Sequence, residues 1–149
     1  MYKELRTTLI NGPTFSGKTS FIRRYIDEVI NDNVKLYLVD FKMVELFSYK
    51  DYDNVTYITS KEEMEEGLFK EINYRLSCTD NSDKQKMYIF IDEYYEVKCI
   101  DGFHKSIKDI MKNKALLNLE VICTTQIANA FCPGMKSSAD TIIKLNRNN

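Results

Sequence analysis

Gly12-Pro13-Thr14-Phe15-Ser16-Gly17-Lys18-Thr19 is a complete G-x-x-x-x-G-K-T loop, set between an apolar run that closes on Leu9 and Ile10 and a helical pattern that begins at Lys18. Two glycines let the backbone curl so that successive N–H groups face inward at a helix start, where the helix dipole adds positive potential, and the result is a cradle for phosphate. The loop predicts a nucleoside triphosphate, ATP, held by Gly12, Pro13, Thr14, Phe15, Ser16, Gly17, Lys18, Thr19 and Ser20. In this pattern Lys18 reaches the β- and γ-phosphates and the Thr19 hydroxyl ligates Mg2+.

Downstream of the loop, Phe21, Ile22, Tyr25, Ile26, Val29 and Ile30 recur at helical spacing until Asn31-Asp32-Asn33 stops the helix. Val34 to Val39 (VKLYLV) reads as a buried strand ending at Asp40, and an irregular segment then runs to Asn54 before the short strand-like Val55-Thr56-Tyr57-Ile58. Ser60-Lys61-Glu62-Glu63 has capping-box spacing and opens a helix with Met64, Leu68, Phe69, Ile72 and Leu76 on one face. After the polar loop Thr79 to Lys86, Met87 to Ile91 (MYIFI) is an apolar strand that delivers Asp92 and Glu93. A helical stretch from about Phe103 to Leu117 precedes another apolar strand, Leu119 to Cys123, which ends in Thr124-Thr125-Gln126. A turn-rich loop surrounds Pro133-Gly134, and Thr141 to Leu145 forms a last strand. Near-continuous apolar strands alternating with helices predict an α/β fold with a mostly parallel central sheet covered on both faces; together with the phosphate loop, the expected fold for residues 1–149, as one domain, is a three-layer P-loop NTPase of the RecA/ASCE-like kind.

Two carboxylates directly after a run of buried apolar residues are costly unless they emerge at a strand's C-terminal end beside a cation. Asp92 is therefore the expected holder of Mg2+ through its water shell, and Glu93 the expected general base that polarises the attacking water. The plainer alternative has Asp92 capping the next segment and Glu93 paired with a surface lysine. Gln126, at the end of a further strand, offers an amide that senses the γ-phosphate and the water. The catalytic set is then Lys18, Glu93 and Gln126, with Thr19 and Asp92 on the metal. In this reading the Gln126 strand lies between the loop strand and the acidic strand, and ligand binds at the strands' carboxyl ends.

Composition narrows the class. The 149 residues carry 21 basic and 22 acidic side chains, a net charge of −1, so bulk charge gives no pull toward nucleic acid or membrane. The four cysteines contain no C-x-x-C pair and there is one histidine, which fits neither a zinc site nor a disulfide framework; reduced thiols in a cytoplasmic protein are expected. No apolar run approaches the length of a membrane span, and Met1-Tyr2-Lys3-Glu4-Leu5-Arg6 lacks the apolar core of a signal peptide.

Leu38-Val39-Asp40-Phe41-Lys42-Met43-Val44-Glu45-Leu46-Phe47-Ser48-Tyr49 resembles the "IDPKMVEL…Y" segment of the FtsK/SpoIIIE DNA translocases of the HerA–FtsK superfamily. Ile91-Asp92-Glu93-Tyr94 is similar to that family's "VDEF", Cys123-Thr124-Thr125-Gln126 to its "LATQ", and Gly134-Met135-Lys136 to part of its ending. The resemblance implies an ATP- and Mg2+-dependent motor that acts on double-stranded DNA as a homo-oligomeric ring, usually a hexamer, with Asp40 and Lys42 near the nucleotide or a neighbouring subunit. Lys42 reads equally well as an exposed lysine after a strand. The chain also departs from the pattern: Lys112 and Lys114 stand where the family has arginines, and Ile127-Ala128 replaces an Arg-Pro. Of its arginines, Arg6, Arg23, Arg24, Arg75 and Arg147, the remaining finger candidates are Arg75 and Arg147. Without a finger the ATPase is expected to be slow or dependent on a partner. The departures also suggest a minimal relative of the sort carried by phages and mobile elements, or an excised domain.

Lys105, Lys108, Lys112 and Lys114, with Lys136, Lys144 and Arg147, could line a DNA pore or simply form a solvated face, while Tyr94 and Tyr95 are expected to pack rather than stack on bases. A nucleotide-regulated module, switched by ATP for a larger DNA-processing or phage partner, is the second functional reading. A small-molecule kinase is a third, and it lacks a visible acceptor-binding lid.

Overall fold

The runs VKLYLV, KMYIFI and LEVICTT are buried almost without a break, the signature of strands covered on both faces. The computed structural model describes residues 5–127 and 129–146. Six strands, β1 (Thr8–Asn11), β2 (Val34–Val39), β3 (Val55–Ile58), β4 (Lys86–Ile91), β5 (Leu119–Thr125) and β6 (Thr141–Lys144), form one sheet in the order β3-β2-β4-β5-β1-β6. Every pairing is parallel, so the expected α/β fold with a parallel sheet is the one observed, and β5 sits between β4 and β1 as the motif order requires.

Alternation along each strand feeds two cores. Met87, Ile89 and Ile91 of β4 point to one face, Tyr88 and Phe90 to the other. The second face is covered by α1 (Lys18–Val29) through Ile22, Ile26 and Val29, helped by Leu46 and by Tyr49 of a 3-10 turn, Phe47–Tyr49. The first face is covered by α3 (Lys70–Leu76), α4 (Tyr94–Lys98), α5 (Phe103–Lys112), α6 (Lys114–Leu117) and α7 (Pro133–Ser138), and by Met64 and Leu68, which follow the exposed turn α2 (Lys61–Glu63).

Several elements differ from their sequence pattern for local reasons. Between α2 and α3 the chain widens into a π-helical stretch, Met64–Phe69, while still burying Met64 and Leu68. The expected helix from Phe103 to Leu117 breaks at Asn113, whose side-chain amide donates to the Asp109 carbonyl at 2.9 Å and so competes with the helix ladder. The turn-rich loop at Pro133-Gly134 is instead helix α7, with Pro133 in the first turn where its missing N–H costs nothing.

At the edge of the sheet where β4 and β5 begin, polar groups staple the elements together. Arg75, only 2% exposed, donates to the Leu117 carbonyl (2.9 Å), the Gln85 carbonyl (2.8 Å) and Glu71 (3.1 Å). Glu120 accepts from the Thr7 N–H (3.0 Å) and hydroxyl (2.8 Å) and pairs with Lys86 and Lys114, both at 3.0 Å; Lys114 also reaches Asp140. These bonds hold the Glu120 carboxyl below its usual range against the opposing effect of burial. Two sequence expectations fall here. Arg75 is a saturated internal strut rather than a free finger, and Lys114 belongs to a partly buried charge cluster rather than to a free basic face. Arg147, the other finger candidate, lies outside the described residues.

Candidate active site

The site forms where three adjacent strands end. In the β4–β5 register Ile91 lies opposite Cys123, and in the β1–β5 register Asn11 lies opposite Thr125, so Gly12, Asp92 and Thr124–Gln126 emerge side by side. The Gly12 N–H continues the ladder by donating to the Thr125 carbonyl at 3.1 Å. A cleft of about 480 Å3 opens above them, lined by Thr14, Phe15, Gly17, Lys18, Thr19 and Ser20 from the loop and α1, Asp92 and Glu93 after β4, Thr124 and Gln126 from β5, and Lys42, Val44 and Glu45 after β2.

The loop meets the demands of a phosphate cradle. Gly17 precedes α1 at φ +95°, a conformation that favours glycine, and α1 presents a twelve-residue dipole behind it. A Cβ on Gly12 would lie 2.5 Å from Ser16 Oγ and 3.0 Å from Leu145 Cβ, so the loop closes tightly only with glycine there. Ser16 Oγ is buried without a hydrogen-bond partner among the described residues, a polar atom in want of a ligand group. The Lys18 ammonium donates to the Gly12 and Pro13 carbonyls, the latter at 2.8 Å. Desolvation lowers its pKa, while Glu93 and Asp92 pull it upward. Pro13, Thr14 and Phe15 complete the loop, and Phe15, 89% exposed, stands at φ +66°.

The acids are held from the neighbouring strand. Asp92 accepts the Thr124 hydroxyl at 3.2 Å, and its carboxyl is pushed up to about 6, chiefly by burial and further by Asp40, Glu45 and Glu93. Glu93 adopts φ +56°, its N–H donates to Thr124 Oγ1 (3.1 Å), and its side chain accepts from the Thr125 hydroxyl (2.7 Å), the Gln126 N–H (2.8 Å) and the Tyr95 N–H (3.0 Å). It is therefore Glu93, not Asp92, that caps the following segment, α4. Gln126 accepts the Thr14 hydroxyl at 2.7 Å, which bridges the β5 end to the phosphate loop. Thr19 and Asp92 supply a hydroxyl and a carboxylate to the same cleft. With phosphate oxygens and water as the other ligands, that donor set suits a hard, oxygen-seeking ion such as Mg2+. Among the described residues no cluster of three or more His, Cys, Asp or Glu could hold a metal by itself.

The segment after β2 reaches the cleft because Asp40 organises it. Asp40 is 1% exposed and accepts the Leu46 N–H (3.0 Å) and the Tyr57 hydroxyl (2.8 Å), folding residues 41–46 back over the strand ends. Arg23 pins the same segment from α1 through the Glu45 carbonyl at 2.9 Å. Lys42 lines the cleft and lies 3.6 Å from Glu96. The sequence pointed to Asp40 and Lys42 but not to Glu45, Thr124 or Thr125, whose parts depend on which strands are neighbours. Tyr94 is fully buried with its hydroxyl 2.7 Å from His104 Nδ1, and Tyr95 is partly exposed. No arginine lines the cleft among the described residues. No helix is long and apolar enough to cross a membrane among them either.

No protein-family model and no curated protein matches the sequence. Solved structures do. EssC (ATPases 2 and 3) from Geobacillus thermodenitrificans superposes with a TM-score of 0.79 at 14% identity, covering 97% of this chain and 32% of that one. The conjugation coupling protein TcpA of pCW3, solved with ATPgS, gives 0.71 at 18% over 89% of this chain and 47% of that one. The genome packaging NTPase B204 of Sulfolobus turreted icosahedral virus 2, solved with AMPPCP, gives 0.65 at 18% over 93% and 74%. The chain spans about a third of the EssC structure. What is shared at these identities is the architecture, and the chain has the α/β, parallel-sheet fold of P-loop ATPase domains.

Proposed function

We propose that this chain binds and hydrolyses ATP with Mg2+ and acts as the motor domain of a homo-oligomeric ring that moves or packages double-stranded DNA. The observation that carries the reading is convergence: Lys18 and Thr19, Asp92 and Glu93, and Gln126, drawn from three separate strand ends, line one cleft. In this reading Lys18 exchanges the Gly12 and Pro13 carbonyls for phosphate oxygens, and Thr19 and Asp92 hold the ion. Glu93 takes the proton of the attacking water, and Gln126 orients that water while reporting on the loop through Thr14. When held by Thr19 and Asp92, Mg2+ would supply positive charge against the negative charge developing on the transferred phosphoryl group. The DNA and ring parts of the proposal rest on the FtsK-like segment Leu38 to Tyr49 and on neighbours named for conjugation coupling and genome packaging.

The test is steady-state ATP hydrolysis with and without duplex DNA over a range of protein concentrations, with Glu93→Gln as control. Stimulation that grows cooperatively with concentration and vanishes in the variant is expected. A monomer at every concentration with turnover indifferent to DNA at low salt overturns the motor reading. The second reading, a nucleotide-regulated switch, is favoured by the departures from the FtsK-like pattern, with Lys112 and Lys114 in place of arginines and Ile127-Ala128 in place of Arg-Pro. It predicts tight ATP binding with negligible turnover.

A further inference from the structure

Cys123-Thr124-Thr125-Gln126 resembles a motif with alanine at the second position, yet here a second threonine stands there, fully buried like the first. A left-handed backbone takes Glu93 off the β4–β5 ladder, and its buried N–H needs another acceptor. The Thr124 hydroxyl is that acceptor at 3.1 Å. A hydroxyl has one proton to give, and with Glu93 on its lone pair the proton goes to Asp92 Oδ1 at 3.2 Å. One oxygen thus fixes the backbone of one acid and the side chain of the other.

Thr125 performs the complementary task. Its hydroxyl accepts the Ile127 N–H (3.1 Å) and donates to Glu93 Oε2 (2.7 Å), which also takes the Tyr95 N–H. Among the described residues Oε1 takes only the Gln126 N–H. A carboxylate offers about two acceptor sites on each oxygen, so Oε2 is filled and one site on Oε1 stays open. The threonine thereby selects the oxygen that can receive a proton.

We propose that Thr124 and Thr125 are a pair of positioning residues, Thr124 setting Asp92 for the metal ion and Thr125 setting the Glu93 carboxylate for water. The proposal deepens the Mg2+–ATP reading given above and rests on it. It separates the two threonines by readout, because neither side chain has to touch the nucleotide.

The experiment measures binding of a non-hydrolysable ATP analogue against Mg2+ concentration, and separately ATP turnover, for the wild type, Thr124→Val, Thr124→Ser, Thr125→Val and Thr125→Ser. Thr124→Val should raise the Mg2+ concentration for half-maximal analogue binding about tenfold, the scale of one hydrogen bond to a charged group, and Thr124→Ser should restore it. Thr125→Val should leave that Mg2+ dependence unchanged and lower kcat about tenfold, with rescue by Thr125→Ser. If Thr124→Val does not fold, Thr124→Cys, of similar size with a weaker donor, carries the same comparison. Wild-type Mg2+ dependence in the folded Thr124 variants, or wild-type kcat in Thr125→Val, overturns the proposal. A wild type that binds the analogue with Mg2+ but turns over no ATP overturns the hydrolysis reading and the Thr125 assignment, and the Thr124 comparison then decides its own half. A wild type that binds no analogue overturns both.

Discussion

Burial and three neighbouring carboxylates act on Asp92 in one direction, lifting its carboxyl from 3.8 to about 6. A group with a higher pKa folded than unfolded binds its proton more tightly in the native state, so stability falls as pH rises between about 4 and 6. Above that window the charged side chain costs on the order of 3 kcal/mol when no cation is present. Asp92→Asn is therefore expected to raise the melting temperature of the protein in chelator at pH 7.5 by a few degrees, with the gain disappearing near pH 4; thermal unfolding at the two pH values checks it. Gly12→Ala should weaken binding of a non-hydrolysable ATP analogue at least tenfold while the protein remains folded, because a Cβ there meets Ser16 Oγ and Leu145; calorimetric titration measures it. Residues of this kind differ in how far the sequence exposes them. Lys18, Thr19, Asp92 and Glu93 are legible because their spacing is set by the local chain, whereas Glu45, Thr124 and Thr125 act across strands and need the β2-β4-β5 order before they can be read.

Among the elements, the strands were the most legible, since a strand covered on both faces has no choice but to be apolar along its length. VKLYLV and VTYI coincide with β2 and β3. The helices were harder where side chains intervene in the ladder, as Asn113 does, or where one turn takes in an extra residue, as at Met64–Phe69. Arg75 shows how a residue's element decides its role. Its guanidinium joins α3 to the end of α6 and to the chain entering β4, and no lysine has the geometry to serve all three partners. Arg75→Ala should destabilise by roughly 3 kcal/mol, seen as a lower urea midpoint, because the Leu117 and Gln85 carbonyls lose their donor and Glu71 keeps only the more distant Lys35 at 3.8 Å. Arg75→Lys should recover only part of this. Analogue affinity per folded molecule should not change, since Arg75 does not line the cleft.

On the scale of the whole molecule four exposed apolar residues, Phe15, Met43, Val44 and Phe47, belong to the segments that cover or adjoin the cleft, while Tyr74, Leu76 and Leu116 are exposed toward the opposite edge. If the ring reading holds, the group beside the cleft meets a neighbouring copy. Met43→Glu with Phe47→Glu, neither of which lines the cleft, should then lower self-association in sedimentation velocity and leave analogue binding by each protomer intact. The molecule is also unequal from one end of its sheet to the other. Phe15, Met43 and Glu93 all hold left-handed backbones a few residues beyond the ends of β1, β2 and β4, while Arg75 and the Glu120 cluster brace the opposite edge. Local opening is cheapest where contacts are few and conformations are strained. Amide hydrogens should therefore exchange with deuterium along a gradient, first in residues 14–16 and 41–45 and last near Met87 and Val121. If the motor reading holds, a nucleotide settling on the fast-exchanging end slows it without altering the slow one, and the sheet is then the fixed base against which one movable edge does mechanical work.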